Sequence, residues 1–468
     1  MSFEQLPRSI RMAIVSAYGY RNAFVRYGAE FRRFEQFLNQ SAQWISEDRE
    51  AWQRTQLREL LLACRRNVPA HGYLDQSLIE QIPDRPLYES LAAIRVTEKQ
   101  HIRAAPEQYI DASVRCAVIS STSGTSGSPM TIGHDRASIQ RRFALLSDHL
   151  TRIGTGRSEP SIRFSGRIIA PKSGRDARPW LHNPAENQVF LSTYHLDDAH
   201  GEAISRMVEA FQPAYVDGYP SAILALLRLL RDPPRALKRL RAIVTTAETL
   251  DDTTRSDIER LSGVRVHDYY AASEGVSLIQ QCRLGIYHVR WQSGIFEVLT
   301  PSGVSSQGDG ELVCTSFVQR RTPLIRYRTG DVVTGLMNDA PPCGCGLHTP
   351  IVQGVLGRVE DQVVTADGRL LGMFSYRTLK DIGGLKACQI IQHEPSAFTA
   401  RVVLESGVSA PQVFGPMKAS FERVMGHPVS LTLDCVDEIE RGPNGKFRAV
   451  KCNMNRHAAG YQDPRASS

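Results

Sequence analysis

The sequence predicts an α/β protein built around a parallel β-sheet flanked by helices, followed by a smaller α+β C-terminal part. Three observations predict it. Ser221 to Leu230 is an apolar stretch of helical length stopped by Asp232-Pro233-Pro234, and Ala242-Ile-Val-Thr245 after it is an apolar run of strand length. Asp251 to Leu261 reads as a second helix with Gly263 at its C-terminal cap, and Val264 to Tyr270 as the next strand, so strand, helix and strand alternate as in a parallel sheet. Beyond Gly354 to Gly357 the chain changes to short strands and turns, among them Thr365-Ala-Asp-Gly-Arg369, whose Asp-Gly pair is a hairpin signal.

The remaining elements follow in chain order. Residues 1–100 form a helical N-terminal part, most clearly over 1–66. There Ser46 can cap a helix whose first turn carries Glu47 and Asp48, and Trp52, Leu57, Leu60, Leu61 and Cys64 recur at near-helical spacing. Cys116-Ala-Val-Ile119 reads as a strand, Ser120 to Met130 as a Ser/Thr/Gly-rich loop, and Asp135 to Leu150 as a helix. Ligands of open parallel sheets gather beyond the carboxyl ends of the strands, where this reading puts both Ser120 to Ser128 and Ala271 to Glu274. A domain boundary near Gly357 divides the chain into 1–356 and 357–468, and the last dozen residues form a polar tail.

Composition narrows the function classes. A chain of 468 residues with 42% hydrophobic and 22% charged residues is that of a soluble enzyme-sized protein, and aliphatic runs such as Ala222 to Leu230 are too short to span a bilayer. The N-terminus lacks the pattern of a secretory signal, so the expected compartment is the cytoplasm. Nine scattered cysteines do not make a disulfide framework and leave metal ligation as the option to test. The net charge of +7 is spread without a basic run or interleaved aromatics, which excludes a nucleic-acid stripe and fits a mild attraction to anionic cosubstrates.

The loop Ser121-Thr-Ser-Gly-Thr-Ser-Gly-Ser-Pro129 concentrates hydroxyls and flexible glycines, a composition whose N–H groups can wrap a polyphosphate. It is not a Walker loop, because no Lys follows Gly127, and it carries neither the dinucleotide glycine fingerprint nor a hydrolase nucleophile frame. Four motifs follow it in order: Tyr270-Ala-Ala-Ser-Glu274, Tyr327-Arg-Thr-Gly-Asp331, Gly357-Arg-Val-Glu-Asp361 and Pro443-Asn-Gly-Lys446. Together they resemble the adenylate-forming superfamily of acyl-coenzyme A synthetases, adenylation domains and luciferases, over roughly residues 50–450. Within it the chain looks most like the phenylacetate-coenzyme A ligase family, including its capsule-biosynthesis relatives.

That resemblance implies a large N-terminal adenylate-forming domain and a small, mobile C-terminal domain, which together activate a carboxylic acid with ATP and Mg²⁺. It implies a phosphate loop of Thr122, Ser123, Gly124, Thr125 and Ser126, with Tyr270 and Ser273 also at the nucleotide. Glu274 becomes the magnesium-associated carboxylate, Asp331 the acceptor for both ribose hydroxyls, and Arg358 a neighbour of ribose and phosphate. Lys446 bridges the acid and the α-phosphate, and Glu360 and Asp361 form the hinge. The acid pocket is expected from Asp217 to Ser221 and Thr246 to Glu248, with Ala247 and Glu248 lining it and Tyr219 and Tyr269 as walls. An aromatic acid fits the family better than a fatty acid.

A second constellation is metal-ligating. Cys343-Gly-Cys345 sits in a Pro/Gly-rich loop and Cys282 with His288 flank a turn at Gly285, four ligands suited to a closed, structural Zn²⁺ site. The sequence departs from the family pattern in three places: Ser128 stands where many relatives have Lys, Ala271 where Gly is usual, and Val363-Val-Thr-Ala-Asp-Gly-Arg369 where coenzyme A ligases carry a Gly-containing loop. The expected acceptor is a thiol, coenzyme A or a carrier protein, with an amine or alcohol acceptor and a non-catalytic nucleotide-binding protein as the alternatives. A homodimer is among the expected assemblies.

Overall fold

In the computed structural model the described residues are 2–121, 130–166, 168–171, 178–300, 302–359, 362–366, 370–371, 374–379, 382–441 and 447–454. The parallel sheet is present and larger than the sequence suggested. It has nine strands, and its centre is five parallel ones in the order Val266–Ala271, Ala242–Thr245, Tyr215–Gly218, Ser161–Ser165 and Gln188–Ser192. Antiparallel strands extend both edges: Trp180–Asn183 on one side, and Leu278–Gln281, Tyr287–Val289 and Ile351–Val352 on the other.

The helix–strand alternation read from the sequence lies in this sheet. Pro220–Leu229 starts with proline at its first position, where the missing N–H costs nothing, and ends before Asp232-Pro233-Pro234. In Asp252–Ser262 the Asp251 carboxylate accepts from Thr254 N–H at 2.8 Å, and Gly263 closes the helix at φ 71°, a left-handed conformation that Gly adopts without strain. These helices bury Ile223, Leu226, Leu227 and Ile258 against Val216, Ile243 and Val266 of the strands.

Two local readings need correction. Ser46 is the first residue of the helix Ser46–Asn67, and extended Ile45 is its N-cap without a side-chain bond; the Ser46 hydroxyl instead accepts from Arg49 at 3.3 Å. The strand before the Ser/Thr/Gly loop, Val118–Ser121, does not join the parallel sheet. It pairs antiparallel with Thr131–His134, so residues 122–129 connect the arms of a separate two-stranded ribbon. A four-residue apolar run can serve either sheet, and the local pairing of Ser120 with Ile132 prevails.

A five-stranded antiparallel sheet follows, in which Tyr327–Leu336 lies between Gly308–Ser316 and Gly354–Arg358. The sequence-based boundary near Gly357 falls inside its last strand. Beyond it, Val363–Val364 and Leu370–Leu371 pair antiparallel as the Asp-Gly signal predicted. The C-terminal sheet, ordered Ser430–Cys435, Ala397–Leu404, Leu385–Glu394 and Val450–Cys452, packs on the helix Ala410–Met425. It has its own core, in which Phe374, Phe398 and Phe421 make stacked and edge-to-face contacts. The N-terminal part is helical as expected, with Arg8–Arg26, Ala29–Gln40 and Ser46–Asn67 as its long helices. No helix among the described residues is long and apolar enough to cross a membrane.

Candidate active site and metal cluster

The carboxyl end of Val266–Ala271 delivers Tyr270, Ser273 and Glu274 to one place. Tyr327–Leu336 brings Asp331 there, and Gly354–Arg358 pairs with it so that Arg358 lies directly opposite Asp331. Gly330, at φ 80°, supplies the bend before Asp331. The Tyr270 hydroxyl donates to Asp331 Oδ2 at 2.7 Å, and Arg358 Nε stands 3.7 Å from Oδ1. Burial raises the Asp331 pKa in spite of the Arg358 charge and the Tyr270 hydrogen bond.

Glu274 is buried and its oxygens are occupied. Oε1 accepts from Lys99 Nζ at 3.1 Å and from the Tyr327 hydroxyl at 3.2 Å, and Oε2 accepts from Ser273 at 2.9 Å. Burial alone would push this carboxyl up, but the Lys99 ammonium and the hydrogen bonds outweigh it and hold the pKa below its ordinary value. Sequence reasoning missed Lys99. It is the first residue of Lys99–Ala104, and the chain before it is aligned by Thr97, which exchanges backbone hydrogen bonds with Arg326 and Arg328 beside Tyr327. A lone lysine at a helix start gives no signal of a partner 175 residues away.

The expected acid-pocket residues divide. Tyr219 precedes the proline that opens Pro220–Leu229, and burial, then the nearby Glu248 charge, raises its pKa. Ala247 has φ 68°, rare for a residue with a Cβ, and sets the bend that presents Glu248. Glu248 accepts from Ser221 N–H at 3.3 Å and from Phe447 N–H at 2.5 Å, and Arg441 donates to the Ser221 hydroxyl at 2.9 Å. The C-terminal segment therefore reaches the carboxyl ends of the central strands Tyr215–Gly218 and Ala242–Thr245. Tyr269 tilts against His149 at 5.4 Å and packs with Leu150 and Val244. Thr122, Ser123, Gly124, Thr125, Ser126, Glu360, Asp361 and Lys446 lie outside the described residues. The base of the ribbon that carries the Ser/Thr/Gly loop is fastened by His134, whose ring bonds Ser120 at 2.7 Å and Gln319 at 3.0 Å.

The structure gathers Cys282, His288, Cys343 and Cys345, with ligand atoms all within 4.8 Å of one another. Two turns of one design present them. Cys282 N–H donates to Ile286 O and Gly285 N–H to Cys282 O; Cys343 N–H donates to Leu347 O and Gly346 N–H to Cys343 O, all at 2.9 Å. The glycine of each turn is left-handed, at φ 85° and 91°. His288 Nδ1 is held by Thr349 at 2.8 Å, which leaves Nε2 facing the thiols, 3.4 Å from Cys345 Sγ. Hydrogen bonding from Cys345 pulls the Cys282 thiol down in pKa and raises that of Cys345, as expected of thiols sharing a proton. Bonds of about 2.3 Å to a tetrahedral zinc ion would separate thiolates by roughly 3.8 Å, so the donor set fits zinc with a slight contraction.

Residues 364–453 match the CapK C-terminal domain. The protein CapK of Staphylococcus aureus is 24% identical over 359 residues, 76% of this chain and 79% of CapK. A phenylacetate-coenzyme A ligase of Thermus thermophilus is 24% identical over 338 residues, 67% of this chain and 71% of the ligase. Among solved structures, 2-hydroxyisobutyryl-coenzyme A ligase in its postadenylation state superposes with a TM-score of 0.69 over 90% of this chain and 92% of its own, at 15% identity. The fold is that of this acyl-coenzyme A ligase. In sequence the chain is similar to CapK and to phenylacetate-coenzyme A ligases. Its α/β architecture and C-terminal domain are those observed here.

Proposed function

We propose that this protein activates a carboxylic acid with ATP as an acyl-adenylate, releases pyrophosphate, and transfers the acyl group to a thiol, coenzyme A or that of a carrier protein. The observation that carries this reading is the convergence of Asp331, Arg358, Tyr270 and Glu274 beyond the parallel sheet, with the residue after Lys446 hydrogen-bonded at Glu248. Asp331 would accept from both ribose hydroxyls, and Arg358 opposite it would lie along the phosphates. Ser273 would contact a phosphate and Glu274 would associate with Mg²⁺, which, when bound with ATP, neutralises charge on the phosphates as the pyrophosphate departs. The segment 122–129 would wrap the phosphates and Lys446 would bridge the acid and the α-phosphorus. Tyr219, Ala247, Glu248 and Tyr269 would line the acid pocket, and the phenylacetate ligases among the relatives favour an aromatic acid.

We divide the chain near Gly357, with Glu360 and Asp361 as the hinge of a small domain that rotates between the two half-reactions. The cosubstrates are those of the cytoplasm, which we take as the compartment. The deciding experiment incubates the protein with ATP and an acid library and reads the nucleotide product. AMP and pyrophosphate are expected, and ADP would exclude the reading. In calorimetry, Asp331→Ala should weaken ATP binding by about 1.5–3 kcal/mol, through partial loss of two charge-assisted hydrogen bonds. Unchanged affinity would remove Asp331 from the nucleotide site.

The cysteine–histidine cluster supports a structural zinc ion, about one per chain, held by Cys282, His288, Cys343 and Cys345. Zinc should appear in elemental analysis of protein purified without added metal. Cys343→Ser should lower both the zinc content and the melting temperature, the latter by several degrees. No change in either would leave the cluster as a pair of thiol turns.

A further inference from the structure

The helix Arg136–Arg152 carries four arginines, and three of them have polar partners. Arg136 donates to Phe24 O at 2.7 Å, Arg141 to Glu30 at 2.6 Å and Arg152 to Asp148 at 2.9 Å. The fourth, Arg142, is partly buried and makes no hydrogen bond or ion pair among the described residues. Its guanidinium lies against the backbone that follows Glu274, where a Cβ on Gly275 would stand 3.5 Å from both Cδ and Nη1. The acceptors around it are engaged elsewhere: Gln319 Oε1 bonds His134 at 3.0 Å, and Glu274 is taken by Lys99, Tyr327 and Ser273. Burial lowers the Arg142 pKa, and the nearby Tyr269 hydroxyl and Glu274 carboxylate offset that only in part. A cation withdrawn from water without a counter-ion is costly to keep, and groups perturbed in this way gather at functional sites.

Its position selects the anion that would pair with it. Arg142 lies two turns before His149, whose ring tilts against Tyr269 at 5.4 Å, so both belong to the helix face that covers this proposed wall of the acid pocket. Successive strand residues point to opposite faces. Tyr269 packs with Leu145, Leu146 and Leu150 of the helix, whereas Tyr270 packs with Tyr327 and Val333 beside Asp331. Arg142 is therefore on the acid side of the strand and away from the proposed ribose contact. In the adenylation scheme the other charges are already matched, with Arg358, Mg²⁺ and the loop 122–129 at the phosphates and Lys446 at the carboxyl that is activated. Arg142 is the cation left over, and the acid is the reactant on its side.

We infer that Arg142 is a specificity residue that pairs with a second anionic group of the acid, a carboxylate or a group of like charge, remote from the carboxyl that is activated. An aromatic ring can lie between the two groups. The inference rests on the adenylation reading and names its acid, but it fails separately, because its main test is binding to the ATP-free protein. Calorimetry compares matched acids: phenylacetate with 4-carboxyphenylacetate, benzoate with terephthalate, and butyrate with succinate. In at least one pair the dicarboxylate should bind the native chain at least tenfold more tightly, and Arg142→Met should abolish that preference. In AMP release with the same pair, Arg142→Met should lower the ratio of kcat/KM for dicarboxylate over monocarboxylate at least tenfold, through KM. Removing an unpaired cation should leave the melting temperature of the free protein the same or higher. The inference is overturned if no dicarboxylate binds more tightly than its partner, if the preference survives Arg142→Met, or if the variant melts lower, which would make Arg142 structural. Weakened ATP binding by Arg142→Met would overturn it too and give the guanidinium to the phosphates. Production of ADP would remove the adenylation reading and leave the binding comparison to decide on Arg142.

Discussion

Lys446→Ala should slow adenylation by about 10²–10³-fold, the 3–4 kcal/mol associated with removing one preorganised donor from a site where charge develops. The expectation rests on the sequence motif and on the neighbouring residue: Phe447 N–H donates to Glu248 at 2.5 Å, so the chain beside Lys446 is docked at the proposed acid pocket. Between the attacking carboxylate and the α-phosphate an ammonium offsets negative charge that water would otherwise have to solvate. After the adenylate has formed, rotation about Glu360 and Asp361 would withdraw Lys446, so transfer from a supplied acyl-adenylate to the acceptor should proceed at the native rate. Pyrophosphate exchange measures the first step and thioester formation from synthetic adenylate the second. Equal losses in both would assign Lys446 to the fold or the acceptor site. Undiminished exchange would make it an ordinary turn lysine.

Lys99→Met should destabilise the protein at neutral pH by about 3 kcal/mol, the lower end of what breaking a buried ion pair costs, since Lys99 keeps some contact with water. Glu274 has a folded pKa below its unfolded value, so its contribution to stability is present above the unfolded pKa near 4.3 and is lost as pH falls through the folded one. Without Lys99 the effect of burial is opposed only by the remaining hydrogen bonds, and the folded pKa moves upward. The variant then pays for an ionised, buried carboxylate at neutral pH and recovers on protonation. The difference between native and variant in urea unfolding should therefore be largest near pH 7 and shrink toward pH 4. Adding Glu274→Gln should restore most of the loss at neutral pH. A difference that does not change with pH would mean that Lys99 stabilises by packing alone.

Much of this was legible in the sequence because its causes are local. Asp251 and Gly263 bracket a helix through a side-chain cap and a left-handed residue, and both signals need only neighbours in sequence. The Asp-Gly hairpin after Val363–Val364 and the strand Ala242–Thr245 are legible for the same reason. The Cys282–His288 and Cys343–Cys345 pairs could be read as two half-sites, and they meet because Ile351–Val352 pairs with Tyr287–Val289. What stayed hidden depends on distant contacts. The run at Cys116–Ile119 carries nothing that selects ribbon over parallel sheet, and Lys99 acquires its meaning from Glu274, Tyr327 and the backbone pairing of Thr97. Arg142 was hidden as well, because only the packed structure distinguishes which arginines of Arg136–Arg152 find partners.

The thiol turns have a mechanical consequence through their position in the chain. The Cys343–Gly346 turn lies within the connection between Tyr327–Leu336, which carries Asp331, and Gly354–Arg358, which carries Arg358. Cys282 and His288, its partners, belong to the edge of the other sheet. The cluster is thus a rivet joining the two sheets at the point where the proposed ribose clamp changes strand. Oxidising these thiols would loosen the rivet and let Asp331 and Arg358 drift out of register, so that grip on the nucleotide would decline with no damage to any residue that touches it.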